Sequence, residues 1–299
     1  MPYRTVVAEQ PIAIRNSWNA VRDHARTYQD FTYVYPVISR RSRGLSIGIN
    51  LNPDKVCNFD CVYCEVDRKT PGKVRTVDLE QVRDELLWLI DHAQSGGLAR
   101  EAKFADAPPE VSREVRDIAF SGDGEPTMVH DFDACVRCVV DVLHERGLDR
   151  TKIVLITDAA GLDKASVKLG LELMDANRGE IWGKLDAGTE PYYRLVNRSA
   201  VKFERILSNL RETALARPIV IQSLFLRMHG EIMPAAELRE YCARLNEIVA
   251  AGGRISEVHA YTIARPVPEP WATRLEPAEL HSLAETIRAS TGLRVEEFP

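Results

Sequence analysis

The chain has 299 residues, 45% apolar and 28% charged, with a formal net charge of −5. That length carries one large domain with a full core or two smaller ones, and the composition is that of a globular protein. The charge excludes a global attraction to nucleic acid. No run approaches the roughly 20 apolar residues of a membrane span, and the opening MPYRTVVAEQPIAIRN lacks the apolar centre of a secretion signal. A cytoplasmic location is the expectation.

Residues 1–42 carry Tyr28, Phe31, Tyr33 and Tyr35 without a clear period, and read as an N-terminal extension capping one end of the main fold. Arg40, Arg41 and Arg43 form a small basic triplet, expected to be a solvated surface. A first strand comes next, in which Leu45, Ile47, Ile49 and Leu51 alternate with Ser46, Gly48 and Asn50. Leu79, Val82, Leu86, Leu89 and Ile90 then recur at helical spacing. Residues 94–113, rich in Gly, Ala and Pro, read as a mobile insertion.

The second strand is expected at 117–121, with a helix carrying Phe132, Cys135, Val136, Val139 and Leu143. KIVLIT at 152–157 is short, apolar and β-branched, as a strand buried on both faces should be, and helical spacing resumes at 162–174. Strands at 180–186, 218–226 and 255–263 alternate with helices at 201–214, 235–250 and 277–290, and a strand-like LRVEEF closes the series. Six βα units in series predict an α/β fold with a parallel sheet and helices outside. No GxGxxG follows the first strand, so a partial TIM-like (β/α)6 barrel over 43–299 fits better than a dinucleotide fold. In such barrels the reactive groups gather at the C-terminal ends of the strands.

Three of the six cysteines fall in CNFDCVYC, directly after the first strand: Cys57, Cys61 and Cys64. Thiolates are soft donors for zinc or iron–sulfur clusters. Structural zinc takes four protein ligands, and no fourth Cys or His lies close by. Three ligands in one tight loop suit a [4Fe–4S] cluster with one iron left open.

This spacing, with Tyr63 just before the third cysteine, resembles the hallmark of the radical S-adenosylmethionine superfamily. The resemblance implies that the open iron is chelated by S-adenosyl-L-methionine, and that an external one-electron donor such as flavodoxin or ferredoxin reduces the cluster. The cofactor is then cleaved to a 5′-deoxyadenosyl radical. Tyr63 is implied to lie against the adenine. After the second strand, SGDGEPT resembles the family's Gly-Gly-Glu element, so Gly122, Asp123, Gly124 and Glu125 are implied to receive the methionine amine. Glycines admit close backbone approach, and a carboxylate suits an ammonium.

The GEPT ending and KLDAGTE look most like the wyosine-base-synthase-like group. Its characterised members build a tricyclic guanine in tRNA from N1-methylguanosine and pyruvate. A nucleoside or tRNA substrate is thereby implied, although the group also holds bacterial proteins of unknown substrate. Unlike the archaeal members, this chain has no cysteine in residues 1–56. The reaction subclass (oxidoreductase, lyase or transferase) stays open. Two alternatives also stay open: a glycyl-radical activase, and a non-catalytic iron–sulfur or zinc module. The GDGE loop speaks against the module, which has no use for an amine site.

Lys184 shares a strand face with Trp182 and Asp186 by the period of two. It reads as an ion pair with Asp186, as a contact to the cofactor's carboxylate or an anionic substrate, or as a Schiff-base lysine if burial lowers its pKa. Thr157, Asp158, Gln222, Ser223, Tyr261 and Thr262 are polar groups near strand ends, either site residues or satisfied core. Cys135, Cys138 and Cys242 read as small core residues. The seven histidines show no HxxxH or HxH pair. For RNA, Arg194, Arg198, Arg227 and His229 are better placed than the 40–43 triplet, which lies at the wrong end of the first strand.

Overall fold

The computed structural model describes residues 12–299, apart from 24, 68, 73, 75 and 266. The chain runs α1 (Asn19–Arg22), β1 (Val34–Ser39), β2 (Gly44–Ile49), α2 (Leu79–Gln94), α3 (Pro109–Arg113), β3 (Val115–Phe120), α4 (Phe132–Glu145), β4 (Lys152–Thr157), α5 (Ala165–Ala176) and β5 (Gly179–Lys184). It continues with α6 (Glu190–Asn197), α7 (Phe203–Ala216), β6 (Ile219–Leu224), β7 (Arg227–Met228), α8 (Ala235–Ala250), β8 (Ile255–Tyr261), β9 (Ala272–Thr273), α9 (Pro277–Thr291) and β10 (Val295–Phe298).

Eight strands form one sheet in the order β1-β2-β3-β4-β5-β6-β8-β10. Every pair from β2 onward is parallel, and only β1 is antiparallel to its neighbour. The sheet curls into a half-barrel whose two edges, β1 and β10, do not pair. This is the expected partial TIM-like barrel. No helix among the described residues is long and apolar enough to cross a membrane.

Strand periodicity splits the core in two. One set of alternate residues, among them Ile47, Ile118, Phe120, Ile153, Leu155, Ile181 and Ile221, is buried with the apolar faces of the helices. The other set contains Ala119, Val154, Trp182 and Val220, which form a separate small apolar cluster with Ile156 against it. That cluster is a packed layer inside the half-barrel, and the polar residues of the site share its strands.

Of the extension read over 1–42, residues 1–11 lie outside the described residues, and the rest holds α1 and β1. β1 escaped the sequence reading because VYPVIS is buried at five successive positions and so shows no alternation. Pro36 is tolerated there because β1 is an edge strand. Residues 94–113 are not a loose loop. They hold α3 and bury Leu98, Phe104 and Val111, so their Gly and Pro shape turns within a packed segment.

Glu85 of α2 fixes β1 against the helices. Its buried carboxylate accepts the backbone N–H groups of Thr32 (2.8 Å), Tyr33 (2.8 Å) and Val34 (3.0 Å), and the Gln81 amide (2.9 Å). Removing an acceptor from buried donors costs about 1–3 kcal/mol per orphaned group. Glu85→Ala is therefore expected to lose about 3 kcal/mol or more of stability, read as a lower urea midpoint at unchanged m-value. A loss below about 1 kcal/mol would show that β1 is held by its apolar faces alone.

Candidate active site inside the half-barrel

The loop after β2 carries the three cysteines, all half-buried and all lining one cavity of about 480 Å³. α6 seats this loop. Asp60 N–H donates to the Asn197 carbonyl (3.0 Å), Val62 N–H to the Val196 carbonyl (2.9 Å), and the Ser199 hydroxyl to the Asn58 carbonyl (2.8 Å). Phe59 packs edge-on to Tyr193 at 5.5 Å. The start of α6 is fixed in turn by Glu237 of α8, which accepts Gly188 N–H (2.6 Å), Thr189 N–H (3.0 Å) and the Thr189 hydroxyl (2.7 Å).

Two sulfurs receive N–H donors. Phe59 N–H points at Cys57 Sγ (3.5 Å) and the Asn197 side-chain amide at Cys61 Sγ (3.4 Å). Burial pushes the Cys61 thiol up, while the Lys184 charge and the Asn197 amide oppose it. Among the described residues, the three sulfurs do not all lie within 4.8 Å of one another. A single zinc ion, at about 2.3 Å from each sulfur, would hold them about 3.8 Å apart. The wider spread fits a cluster that offers each thiolate its own iron.

The GDGE loop follows β3 and lies directly on the chain leading to Cys57. Asp123 N–H donates to Asn50 Oδ1 (3.1 Å), the Asn50 amide returns to Asp123 Oδ2 (2.8 Å), and Glu125 N–H donates to the Val56 carbonyl (3.1 Å). Arg26 pairs with the other Asp123 oxygen at 3.2 Å. A Cβ at Gly122 would lie 2.3 Å from Asn50 Oδ1, and one at Gly124 would lie 2.0 Å from the Val56 carbonyl. Both positions therefore need glycine to bring the two loops together.

Glu125 is buried and both of its oxygens accept hydrogen bonds. Oε1 accepts Thr127 N–H (3.1 Å) and the Thr127 and Thr157 hydroxyls (2.6 Å each), and Oε2 accepts Asp158 N–H (2.7 Å). It braces the end of β4, and so holds Asp158. That carboxyl lies 4.0 Å from Cys57 Sγ. Burial, and then the Glu125 charge, raise it well above the usual carboxylate range.

Lys184 ends β5 and donates to the Tyr63 hydroxyl at 2.8 Å, its ammonium 4.9 Å from the Tyr63 ring centre. The Tyr63 hydroxyl donates onward to Asp186. Asp186 also accepts the Asn197 amide (2.8 Å) and Leu224 N–H (2.9 Å), and stands 4.0 Å from Lys184. The expected Lys184–Asp186 pair is thus present, with Tyr63 bridging it. Burial alone would lower the Lys184 pKa, but Cys61, Tyr261, Asp186 and Cys57 outweigh it and raise the ammonium well above its ordinary value.

The basic triplet is split: Arg43 is exposed as expected, and Arg40 and Arg41 are half-buried. Arg41 turns into the half-barrel, donates to Gln222 Oε1 (2.8 Å), and lies over the rings of Trp182 (4.6 Å) and Tyr261 (5.3 Å). Its place in the β1–β2 turn, at the unpaired sheet edge, lets it reach inward. Arg43 pairs with Glu296 at 3.2 Å. The three arginines favoured for RNA are already paired: Arg194 with Glu190, Arg198 with Glu269, and Arg227 with Glu279. Cys135 and Cys242 are buried and Cys138 packs against the core. Sequence reasoning missed Asn197, a lone amide at a helix end that carries no motif.

No family model matches the chain. It is 23% identical over 179 residues to GTPase Obg of Brachyspira hyodysenteriae, which covers 59% of this chain and 22% of that protein. It is 27% identical over 163 residues to the UPF0026 protein MJ1312 of Methanocaldococcus jannaschii, covering 54% and 43%. The chain thus spans less than half the length of these curated relatives. Among solved structures, TYW1 with a lysine–pyruvate adduct bound has a TM-score of 0.52 at 19% identity, covering 86% of this chain and 76% of that one. SuiB of Streptococcus suis bound to S-adenosylmethionine has a TM-score of 0.50 at 11% identity, covering 86% and 48%. The fold of this chain is the fold of these two structures.

Proposed function

We propose that this chain is a radical S-adenosylmethionine enzyme, with Cys57, Cys61 and Cys64 as thiolate ligands of one [4Fe–4S] cluster. The observation that carries the reading is the packing of two loops from different strands. The GDGE loop is built against the cysteine loop through Gly122, Gly124 and the Glu125–Val56 hydrogen bond, and both line one cavity. A passive metal module has no need of that second loop.

When bound, the cluster and S-adenosyl-L-methionine supply one-electron cleavage of the cofactor's C5′–S bond, and with it a radical able to take a hydrogen atom. The chain's own residues bind and orient. Gly122–Glu125 present backbone to the methionine end. Glu125 acts through Asp158, whose carboxyl near Cys57 is raised in pKa by burial and by the Glu125 charge; an ammonium beside it is the proposed counter-charge that restores its ionised form. Tyr63 backs the adenine side, its hydroxyl pinned by Lys184 and Asp186. The electron comes from an external donor of the flavodoxin or ferredoxin kind.

Lys184 is the one lysine among the described residues lining the cavity. The TYW1 structure holds a lysine–pyruvate adduct, but an amine nucleophile must shed its proton. Lys184 donates to the Tyr63 hydroxyl and stands 4.0 Å from Asp186, and its neighbours raise its pKa. Its proposed role is therefore a fixed positive charge toward the cofactor's carboxylate or an anionic substrate. The ion pairs of Arg194, Arg198 and Arg227 give an RNA substrate less support than a small molecule.

Anaerobic reconstitution is expected to load about four irons per chain. Alanine at Cys57, Cys61 and Cys64 together should abolish the cluster absorption, and Cys135→Ala should leave it intact. Stoichiometric zinc that persists under iron supplementation would favour the module.

Asp158→Asn should keep the cluster but bind S-adenosylmethionine roughly 10- to 150-fold more weakly, since a charge-assisted hydrogen bond is worth about 1.5–3 kcal/mol. Calorimetry on the reconstituted protein reads this directly. Glu125→Ala should show the same weakening and also a lower melting temperature, because it orphans the donors that Glu125 now satisfies. Undiminished affinity in both variants would remove this strand end from the site.

A further inference from the structure

We propose that the end of the cavity at the open seam between β1 and β10 is an oxyanion subsite, built by Arg41 and Arg265 with Arg40 and Arg274, for a phosphate or carboxylate group of the second substrate. All four arginines line the same cavity as the cysteines. Arg40 and Arg41 come from the β1–β2 turn, and Arg265 and Arg274 from the segment between β8 and α9. The four are thus brought together where the sheet edges fail to pair.

The charges at this seam are unbalanced. No side-chain carboxylate among the described residues lies within ion-pair distance of Arg40, Arg41 or Arg274, and Arg265 alone is paired, with Glu65 at 3.1 Å. Arg41 has the neutral amide of Gln222 and two ring faces. Arg40 is met by the main-chain oxygen of Pro299, the last residue of the sequence, so the imbalance rests on Arg41, on Arg274 and on the unmet Nη1 of Arg265. Nη1 of Arg265 is buried without a hydrogen-bond partner. Burial first, and then Arg41, Arg265 and Arg274, pull the Arg40 guanidinium below its ordinary pKa. Asp117 lies within electrostatic reach of Arg41, but it is bonded to Ser46 and burial raises its own pKa.

Like charges gathered in a partly desolvated cavity, with a donor left unmet, are costly unless an anion completes them. Guanidinium groups match carboxylate and phosphate oxygens in a planar fork. Trp182 and Tyr261 hold the plane of Arg41 by cation–π contact and leave its edge for a ligand. Tyr261 is an electrostatic neighbour of both Arg41 and Lys184, and Lys184 is one of Cys61. An oxyanion at the arginines therefore lies in the same cavity as the cysteines. Only the word substrate rests on the proposed function; the anion site does not.

The test is calorimetric titration of the full-length reconstituted protein with inorganic phosphate and, separately, with acetate, chloride holding the ionic strength constant. Saturable binding of either probe is expected, weakened tenfold or more by Arg41→Gln and by Arg265→Gln. Arg146→Gln, at a surface pair with Asp91 and Glu145, should bind as the parent does. Tighter phosphate binding assigns a phosphorylated substrate, and tighter acetate binding a carboxylate. Absence of saturable binding, or binding indifferent to both cavity substitutions, overturns the subsite. Cleavage of S-adenosylmethionine by the parent protein is assayed apart. Its failure would sink the proposed function and leave the anion titration standing.

Discussion

Asp186 is 2% exposed and accepts hydrogen bonds from three separated parts of the chain: the Tyr63 hydroxyl, the Asn197 amide and Leu224 N–H. One carboxylate thereby joins the cysteine loop, the end of α6 and the end of β6 to the exit of β5. The same Asn197 amide reaches Cys61 Sγ, and the same Tyr63 hydroxyl receives Lys184. Stripping one member from a buried charged network leaves the others unsatisfied, at a cost of about 3–5 kcal/mol. A loop of three cysteines has little apolar surface of its own to hold it. Its shape is imposed from outside, through Asp186 and α6.

That dependence explains why the half-barrel has two interiors. Apolar residues facing the helices supply the bulk of the stability, at about 1.5–3 kcal/mol for each large side chain buried. Inside the curl, the layer of Ala119, Val154, Trp182 and Val220 separates from that core. Trp182, Arg41 and Asp117 line both the cysteine cavity and a second cavity that also contains Glu180, Glu257 and His259. The layer is thus a floor between the two. Polar groups beyond it are held by networks drawn from several strands, such as that around Asp186.

Periodicity made the fold legible. KIVLIT and the alternation from Leu45 to Leu51 could be read because each obeys one local rule. The cysteine spacing and the GDGE loop could be read because their residues sit within a few positions of one another. What stayed hidden was of two kinds. β1 and residues 94–113 are buried on all sides or mixed in composition, so neither period nor polarity marks them. Asn197, Glu85 and Arg41 act across 136, 51 to 53 and 181 positions of sequence respectively. No local pattern encodes such partners. Glu125 was legible as part of the GDGE loop, but its hydrogen bonds to Thr127, Thr157 and Asp158, which brace the end of β4, were not.

Net charge is the clearest case of a global quantity that misleads locally. At −5 the chain repels anions at long range, yet its cavity gathers Arg40, Arg41, Arg265, Arg274 and Lys184. The repulsion between exposed charges is screened beyond about 8 Å at physiological salt. Inside a partly desolvated cavity, groups interact at a few ångströms and at lower effective dielectric. The surface carboxylates therefore cannot cancel the field that a bound molecule meets. Of the acids lining the cavity, Glu65 pairs with Arg265, Asp117 is bonded to Ser46, and Glu125 is bonded to Thr127, Thr157 and the Asp158 N–H. The same cavity is lined by three cysteines and by these guanidinium groups, so it is polar as well as apolar.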